Sequence, residues 1–406
     1  MVPIIEYPEV VAKYLPHFQK CFRRTEQFQH FAQYVTGLIV CIKHSIRHMN
    51  SQFFEHCDQS AKNRFLTESP WSELKVNHQR IRLIWEKIHT INPRKCVLII
   101  DDTLLEHDAD TKNMEQMSLF RDPSTGLYEH GHVIVTAHLH CPLGQFPINF
   151  RLYYPKGRVS KITLAKWLVK SAMRMKLPFQ TVVFDAWYLA PELTDFLDAR
   201  GKSWVSRGKS NRVAFLEGYK QPIVEWLSRQ PAEAITTITI DGESYQTISK
   251  TITLSNHQRV KLVAVKNPKE EAGWTLLFCN RLYWSPDGII RTYKRRWKIE
   301  TFYRDAKQNL GLEDYMLRNM TGTKRHWYLV FLAYTLLELS SLDSGLMKAL
   351  KANAVSVGDR CREAMQDVGR SFILWVVRQT ALGKDLYEIF DLAYVQPNCQ
   401  RAVSTG

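Results

Sequence analysis

The sequence predicts an α/β fold in which a mixed sheet follows a helical domain, carries a β-rich insertion and precedes a helical tail. Between residues 96 and 206, short apolar runs alternate with segments of helical period, which indicates the order β-β-β-α-β-α-β. Between 235 and 280, apolar residues alternate with Thr or Ser, which is typical of strands. Both ends of the chain are helical in pattern, and the length of 406 residues suits two or three domains.

Two of the predicted strands end in aspartate. Residues 96–100 form a continuous apolar run, typical of a strand buried on both faces, and Asp101 and Asp102 follow it. Residues 179–184 form a second such strand, and Asp185 follows it. Sites in open α/β sheets form at the carboxyl ends of strands, although a single Asp there is often only a cap or a turn former. The other core elements are predicted as strands at 132–140, 147–154 and 203–206 and as helices at 161–175 and 191–200.

A third carboxylate lies in a basic stretch, 290–310, which is predicted as one helix that ends at Gly311. Four of its side chains fall within roughly 60° of one another at 3.6 residues per turn. Such a face suits phosphate groups, because Arg and Lys bind phosphate and a carboxylate among them can hold a metal. A solvated amphipathic helix is an equally good interpretation of this stretch alone. The four residues are Tyr293, Arg296, Glu300 and Lys307.

The charge balance predicts a polyanionic partner. Lys and Arg number 55 against 40 Asp and Glu, a net charge of +15, which favours nucleic acid first and an anionic membrane surface second. The eight cysteines are scattered without a CxxC pair, so a reducing cytoplasm is expected and neither a zinc site nor a disulfide framework is. No signal peptide is evident, and the most apolar run, 327–339, is too short for a bilayer and is predicted to be a buried helix.

The three carboxylates, Asp101, Asp185 and Glu300, come from separate segments, and they converge if the helix packs on the edge of the sheet. Carboxylate oxygens are the ligands that Mg²⁺ prefers. Two such ions, with Mn²⁺ as a substitute, serve phosphodiester cleavage by activating a nucleophile and steadying the leaving oxygen. Nearby Arg and Lys side chains would hold the cleaved strand by its phosphates.

These motifs resemble those of the DDE transposases of bacterial insertion sequences, in the insertion-sequence-four superfamily, over roughly residues 28–345. The superfamily signature Y-(2)-R-(3)-E-(6)-K is matched at every position by the four residues of the basic stretch. The D-x-T motif is matched by 101–103, and the motif of an apolar strand followed by D-x-x-Y is matched by 182–188. The stretch 65–71 is also similar to the N-terminal segment of one of these families.

The resemblance implies an RNase H-like core and cut-and-paste transposition on double-stranded DNA, with the terminal repeats and the target as substrates and a homodimer on DNA. It implies metal ligation by Asp101, Asp185 and Glu300. Asp102 is an alternative first ligand, but strand alternation lets only one of the two neighbours face the metals, and the motif favours Asp101. It also implies base stacking on an aromatic residue of the insertion, for which Trp226 and Trp274 are candidates. The residues expected to contact DNA are Tyr293, Arg296, Lys307, Arg295, Lys298, Arg207 and Lys209.

Five segments are expected. The N-terminal helices have basic faces that could grip DNA, and plain helical packing explains each of them equally well. A bacterial, nucleoid-associated cytoplasmic protein follows from this interpretation, and a non-catalytic, domesticated DNA-binding protein is its alternative. The segments are a helical DNA-binding domain at 1–90, a first part of the catalytic core at 91–212, the β-rich insertion at 213–286, the Glu-bearing helix and its successor at 287–345, and a helical region at 346–406 that could dimerise.

The loop after the last core strand contains Gly208-Lys209-Ser210, which is similar to the end of a phosphate-binding P-loop. The first glycine of that motif would fall at position 203, which is Ser203, so nucleotide binding of that kind is not expected. A hydrolase that uses two carboxylates on a small substrate is a further alternative. The net charge of +15 and the stripe of Arg and Lys argue against it.

Overall fold

The computed structural model describes residues 2–108, 111, 113–121, 125–266, 273–343 and 355–395. It is a mixed α/β fold with a large mixed sheet and with helical N-terminal and C-terminal parts, which confirms the predicted fold class. By internal contacts the chain divides into two compact units. The first contains the described residues up to Lys87, Leu105–His132 and the described residues from Phe302 onwards, and the second contains Ile88–Leu104 and Val133–Thr301.

The first unit is mainly helical. The predicted C-terminal region, 346–406, is described only between 355 and 395, where it forms the last two helices. Across the residues described, no helix combines the length and the apolarity needed to cross a membrane. The helices are α1 (Glu9–Ala12), α2 (Thr25–Val40), α3 (Ile46–Ser51), α4 (Gln59–Thr67), α5 (Glu73–Ile88), α11 (Met320–Asp343), α12 (Val357–Ala381) and α13 (Leu386–Phe390), with a 3₁₀ turn at Leu15–Cys21.

The core of the first unit forms around α11. Its apolar residues are buried on nearly every side, which agrees with the buried helix predicted at 327–339. Arg325 of α11 donates to the carbonyls of Leu66 at 2.8 Å and Trp71 at 2.6 Å, and its guanidinium lies 4.5 Å from the centre of the Trp71 ring. The Phe65 and Trp71 rings stack with centroids 5.0 Å apart. The stretch 65–71 therefore packs against α11, and Arg325 satisfies the carbonyl groups of Leu66 and Trp71.

The sheet contains parallel and antiparallel pairs. Its strands are β1 (Val97–Glu106), β2 (Ser118–Arg121), β3 (Tyr128–Cys141), β4 (Gly144–Tyr153), β5 (Thr181–Phe184), β6 (Ser203–Gly208), β7 (Val213–Leu216), β8 (Tyr219–Pro222), β9 (Thr236–Ile240), β10 (Glu243–Leu254), β11 (Arg259–Lys266) and β12 (Thr275–Cys279). The order through the second unit is β3-β1-β5-β6-β12-β11-β10-β7-β8, with β4 beside β3 and β9 beside β10. The pairs β1–β5 and β5–β6 are parallel, and β6–β12 is antiparallel.

Three short strands were not predicted. The first, β2, pairs with the start of β3, within the first unit. The other two, β7 and β8, form a hairpin whose turn is Glu217-Gly218, with φ values of 55° and 86°. A two-residue turn of this kind needs two positive φ values, and Glu is an uncommon residue for the first of them. The insertion also continues the core sheet, because β12 pairs directly with β6.

The helices of the second unit are α6 (Lys161–Arg174), α7 (Pro191–Asp198), α8 (Ile223–Ser228) and α9 (Pro286–Lys294), and α10 (Trp297–Leu310) begins in this unit and ends in the first. Ser285 caps the start of α9, where its hydroxyl accepts from the Gly288 amide. Short 3₁₀ turns occur at Pro93–Lys95 and Ala232–Ala234.

The prediction of one continuous helix over 290–310 is wrong. The chain forms α9 and α10, with Arg295 and Arg296 between them. In this link the amides of Arg296, Lys298 and Ile299 bond to carbonyls three residues back, at 2.8, 3.0 and 3.1 Å. Such bonds tighten the helix to about three residues per turn and change the direction of the chain. The angular spacing derived from an ideal helix therefore does not hold across the link.

Gly208 is required by packing between strands. A Cβ at this position would lie 2.1 Å from Cε2 of Phe278, on the neighbouring strand β12. Any side chain would therefore have to displace the fully buried Phe278 ring. The glycine that gives the sequence its likeness to a P-loop ending serves the sheet, and the phosphate-binding role of that motif does not follow from it.

Candidate functional site

Asp101 and Asp185 lie at the same edge of the sheet. Strands β1 and β5 are parallel, and their register places Ile100 opposite Phe184, the residues just before the two aspartates. The Asp185 carboxylate accepts from the backbone amides of Trp187 at 2.9 Å and Tyr188 at 3.3 Å. This turn fixes the Asp185 side chain at the end of its strand. Parallel pairing thus places both carboxylates at one level, where the pairing of β1 with β5 ends. The prediction that the first strand ends at residue 100 is wrong, because β1 continues past Asp101 to Glu106.

Arg296 joins Asp101 to Glu300. One arm of its guanidinium, Nη1, lies 2.6 Å from Asp101 Oδ2, and the other, Nη2, lies 2.5 Å from Glu300 Oε1. The Arg296 and Asp101 side chains are only 17% and 14% exposed. Charge-assisted hydrogen bonds of this kind are strong and directional. The start of α10 is therefore held to the middle of β1 by a single guanidinium.

The acidic groups at this edge carry more negative charge than the guanidinium balances. The pKa of Asp101 is raised to about 7. Burial is the main cause, the charges of Asp185 and Asp102 add to it, and the charge of Arg296 opposes them. Burial also raises the pKa of Asp185, and the charge of Asp102 adds to this. Burial alone would lower the pKa of Arg296, but the charges of Asp101, Tyr293 and Glu300 outweigh it and raise that pKa. Deprotonated carboxylates here call for additional positive charge.

The donor chemistry fits a hard divalent cation, because the groups that converge are carboxylate oxygens in a partly desolvated, negative environment. Within the residues that the structure describes, however, His, Cys, Asp and Glu side chains do not form a ready group of three at metal-binding distance. One oxygen each of Asp101 and Glu300 is instead bonded to Arg296. A cation held by the three carboxylates thus requires side-chain adjustment around that guanidinium.

Asp102 has different partners from its neighbour. Its Oδ2 lies 2.6 Å from Lys161 Nζ, and its Oδ1 accepts from the Tyr188 hydroxyl at 2.6 Å. The Lys161 ammonium also lies 5.2 Å and 5.1 Å from the ring centres of Tyr153 and Trp187. Sequence reasoning missed Lys161, because only the fold brings the first residue of α6 to the end of β1. Successive side chains of a strand face opposite sides, and the separate partners of Asp101 and Asp102 agree with this.

Tyr293 and Arg207 lie beside the same carboxylates. Burial raises the pKa of Tyr293, while the charges of Arg296 and Arg207 lower it and that of Asp185 raises it. The Arg296 guanidinium lies 5.9 Å from the centre of the Tyr293 ring. The Arg207 side chain, near the end of β6, is exposed. Of the residues predicted from the signature, the structure brings Tyr293, Arg296 and Glu300 together with Asp101 and Asp185.

The other predicted DNA contacts are spread over the chain. Arg295 donates to the carbonyl of Lys95 at 3.2 Å. Lys298 and Arg295 lie near the buried His140, whose pKa is lowered to about 4 by burial first and by these two charges second. Lys307 forms an ion pair with Glu313, and both belong to the first unit. Lys209 is exposed on the loop that follows β6.

The two aromatic candidates of the insertion differ in exposure. Trp226 is only 2% exposed, and its indole N–H donates to Glu217 at 3.0 Å. Its ring is therefore not presented for stacking. Trp274, just before β12, is half-buried. Trp187, two residues after Asp185, is 50% exposed and was not among the candidates.

Comparisons with known proteins show the family of this chain. The model of the family described as DDE superfamily endonuclease matches residues 17–230, more than half of the chain. The model described as archaeal putative transposase ISC1217 matches residues 158–349. A cryo-EM structure of a piggyBac transposase synaptic complex with hairpin DNA aligns with a TM-score of 0.46 and 13% identity, over 96% of this chain and 83% of that chain. No curated protein matches the sequence. The chain therefore belongs to the DDE superfamily of endonucleases and is a DNA-cleaving enzyme of the transposase type.

Proposed function

We propose that this protein is a cut-and-paste transposase of the insertion-sequence-four superfamily, with Asp101, Asp185 and Glu300 as its catalytic carboxylates. The observation that carries this proposal is the single guanidinium of Arg296, which joins Asp101 to Glu300 beside the desolvated Asp185. The spacing of Tyr293, Arg296, Glu300 and Lys307 in the sequence, which matches the superfamily signature, supports it.

The three carboxylates would bind two Mg²⁺ ions, or Mn²⁺ in their place. When bound, these ions would supply an activated water or hydroxyl nucleophile and neutralise the leaving oxygen of a phosphodiester. Asp101 brings its oxygens from the middle of β1, Asp185 brings its oxygens from the end of the paired strand β5, and Glu300 brings its oxygen from the first turn of α10. Arg296 balances the charge of Asp101 and Glu300 and stays within reach of the scissile phosphate.

The DNA would be held by basic side chains around the carboxylates. Tyr293 and Arg296 lie at the site, and Arg207 reaches it electrostatically from the end of β6. We also propose that four further basic side chains contact DNA phosphates: Arg295, Lys298, Lys307 and Lys209. The net charge of +15 provides the long-range attraction for such a polyanion.

Strand transfer and assembly extend the proposal. The 3′-hydroxyl freed at each transposon end would attack target DNA at the same carboxylates, because cleavage and joining are both attacks of a hydroxyl on a phosphodiester. A homodimer on DNA would bring the two ends together. We place this activity in a bacterial cytoplasm, at the nucleoid.

The proposal is tested by cleavage of DNA that carries the inverted repeats flanking the gene, in the presence of Mg²⁺. We expect Asp101→Asn, Asp185→Asn and Glu300→Gln each to lower the cleavage rate by about 1,000-fold or more and to leave binding of the ends within about threefold. Asp195→Asn, which changes an exposed carboxylate on α7, is the matched control and should cleave as the wild type does.

Retained cleavage in one of the three variants would remove that residue from the site. A wild-type protein that binds DNA, binds no divalent cation in a calorimetric titration and cleaves nothing would favour the alternative of a non-catalytic DNA-binding protein.

A further inference from the structure

A cavity of about 440 Å³ lies within the second unit, at the loop that follows β6. Strands β5 and β6 are parallel, and their register pairs Phe184 with Ser206. The chain therefore leaves both strands at the same edge, and the Ser206 hydroxyl donates to the Asp185 carbonyl at 3.1 Å. The cavity is lined by Lys209, Asn211 and Arg212, by Val213 of β7, by Pro191 at the start of α7, and by Ser255 and Asn256 in the turn between β10 and β11. The segments that carry Lys209 and Pro191 leave β6 and β5 at the edge of Asp185, whereas the register of β6, β12 and β11 puts the β10–β11 turn towards the opposite ends of these strands.

Arg212 brings uncompensated positive charge to this cavity. Its side chain is half-buried, and its Nη1 donates to the carbonyl of Leu189 at 3.2 Å. Burial lowers the pKa of Arg212, and no acidic group offsets that burial. Within the described parts of the chain, no carboxylate forms an ion pair with Arg212 or Lys209. A desolvated guanidinium without a carboxylate is costly unless an anion completes its environment.

The remaining lining combines apolar surface from Pro191 and Val213 with hydrogen-bond donors and acceptors. Asn211 and Asn256 bring amides, and Ser255 brings a hydroxyl that bonds to the Val213 carbonyl at 3.4 Å. The volume of about 440 Å³ is in the range of sites for small organic ligands and exceeds what one phosphate group needs. The cavity therefore suits a phosphate together with the sugar or base attached to it.

The position of the loop connects this cavity to the carboxylates. Arg207, at the start of the segment, acts on the pKa of Tyr293, which also feels Asp185. Lys209 and Arg212 follow within five residues along the chain. Three cationic side chains, Arg207, Lys209 and Arg212, thus lie on the segment that leaves β6 beside Asp185.

We propose that this cavity binds a phosphate-bearing nucleotide unit of a DNA strand, with Arg212 and Lys209 on the phosphate and the Asn211 and Asn256 amides facing the sugar or base. The inference rests on the proposed function, because it gives the cleaved strand a second point of attachment beside the carboxylates. It also gives the β-rich insertion a role in DNA binding, since the β10–β11 turn supplies one wall of the site.

The test measures the affinity of the full chain for a short fluorescent single-stranded oligonucleotide, in EDTA, over a range of salt concentrations. We expect Lys209→Ala and Arg212→Gln each to weaken binding about 3- to 10-fold and to reduce the salt slope by about 0.7 for each phosphate that the variant no longer neutralises. Lys170→Ala, which removes an exposed lysine of α6, is the matched control. If the cavity variants weaken binding no more than Lys170→Ala does, the proposal is overturned.

Two further measurements test the proposal without relying on the Arg212→Gln variant. Asn256→Asp adds a negative charge at an exposed turn position, so it should weaken oligonucleotide binding even if Arg212→Gln does not fold. Competition with a deoxynucleoside 5′-monophosphate and with inorganic phosphate distinguishes the source of the phosphate. We expect both to displace the oligonucleotide only at about 100-fold higher concentration. Tight binding of the monophosphate, together with unchanged oligonucleotide affinity in the variants, would assign the cavity to a free nucleotide and refute the proposal.

Cleavage separates this inference from the proposed function. A wild-type protein that cleaves DNA with Mg²⁺, and whose cavity variants bind the oligonucleotide normally, would retain the proposed catalytic carboxylates and refute both the cavity site and the phosphate contact of Lys209. A wild-type protein that does not cleave, but whose cavity variants bind more weakly, would retain the cavity site and refute the proposed function.

Discussion

Arg296 Nη1 lies 2.6 Å from Asp101 Oδ2, although the two residues are 195 positions apart in the chain. The other arm of the same guanidinium bonds to Glu300. Arg296, which lies between Tyr293 and Glu300 in the signature, therefore has a structural role in the protein without DNA. It offsets the repulsion between acidic side chains that the fold brings to one edge of the sheet.

We expect Arg296→Gln to lower the free energy of unfolding by about 2–4 kcal/mol in EDTA, because it leaves a mostly buried carboxylate without its guanidinium. Mg²⁺ at millimolar concentration should then stabilise the variant more than the wild type, since the cation no longer competes with Arg296. Urea denaturation with and without Mg²⁺ measures both effects. Asp101→Asn in the same background should remove the extra response to Mg²⁺. An equal Mg²⁺ response in wild type and variant would contradict this account.

The assignment of Asp101 over Asp102 gives a second prediction. Asp102 is bonded to Lys161 and Tyr188, so we expect Asp102→Asn to reduce cleavage less than about 10-fold, whereas Asp101→Asn abolishes it. The cost of Asp102→Asn should appear in stability instead, at about 1–3 kcal/mol. A double-mutant cycle with Lys161→Met should give a coupling free energy of about 1–2 kcal/mol.

The cleavage rates of the two variants distinguish Asp101 from Asp102 as the first metal ligand. If Asp102→Asn abolishes cleavage and Asp101→Asn does not, the first metal ligand is Asp102. A coupling free energy near zero would show that the contact between Asp102 and Lys161 contributes nothing to the fold.

The positions of Asp101 and Asp185 could be predicted because they depend on local pattern. Each follows a short apolar run, and the two runs pair in parallel, so the residues after them lie at the same level, although β1 itself continues to Glu106. The break between α9 and α10 could not be predicted, since the helical pattern continues through Arg295 and Arg296 and only hydrogen bonding reveals the tight link.

Contacts between residues far apart in the chain could not be predicted from the sequence for a different reason. Lys161 pairs with Asp102 over 59 positions, and no spacing rule connects the first residue of a helix to the end of a distant strand. The β7–β8 hairpin was missed because its turn uses Glu217-Gly218, whereas the turn between β9 and β10 uses Asp241-Gly242, a common turn pair. Where the local sequence is compatible with several conformations, tertiary packing determines which turns and contacts form.

Lys307 provides a third prediction, because in the free protein it is paired with Glu313. Burial raises the pKa of Glu313, and the charge of Lys307 opposes this. A DNA phosphate must therefore compete with that carboxylate for the ammonium group. We expect Glu313→Gln to raise the affinity for transposon-end DNA about 2- to 5-fold and Lys307→Ala to lower it by a similar factor, measured by fluorescence anisotropy.

The double variant tests the cause. With Lys307→Ala already present, Glu313→Gln should raise affinity no more than Glu192→Gln, which removes an exposed carboxylate on α7. An equal gain with and without Lys307 would mean that Glu313 acts only through general charge.

His326 gives a prediction about pH. It is fully buried in the first unit, bonded to the Tyr34 hydroxyl at 2.8 Å and to the Gly311 carbonyl at 2.9 Å. Burial lowers the pKa of His326 to about 4 in the folded protein, against about 6.5 in an unfolded chain. Between these values the unfolded chain binds a proton that the folded protein does not, so the free energy of unfolding falls as the pH is lowered through this range.

We expect this histidine to contribute a loss of about 2 kcal/mol between pH 7 and pH 5. The wild type should lose more than that, because burial also lowers the pKa values of His107, His138 and His140. Urea denaturation at the two pH values should show that His326→Gln is less stable than the wild type at pH 7 but loses about 2 kcal/mol less on acidification. His78→Gln, at an exposed position, should keep the full pH dependence. A His326→Gln variant with the wild-type pH dependence would show that the buried ring does not couple proton binding to folding.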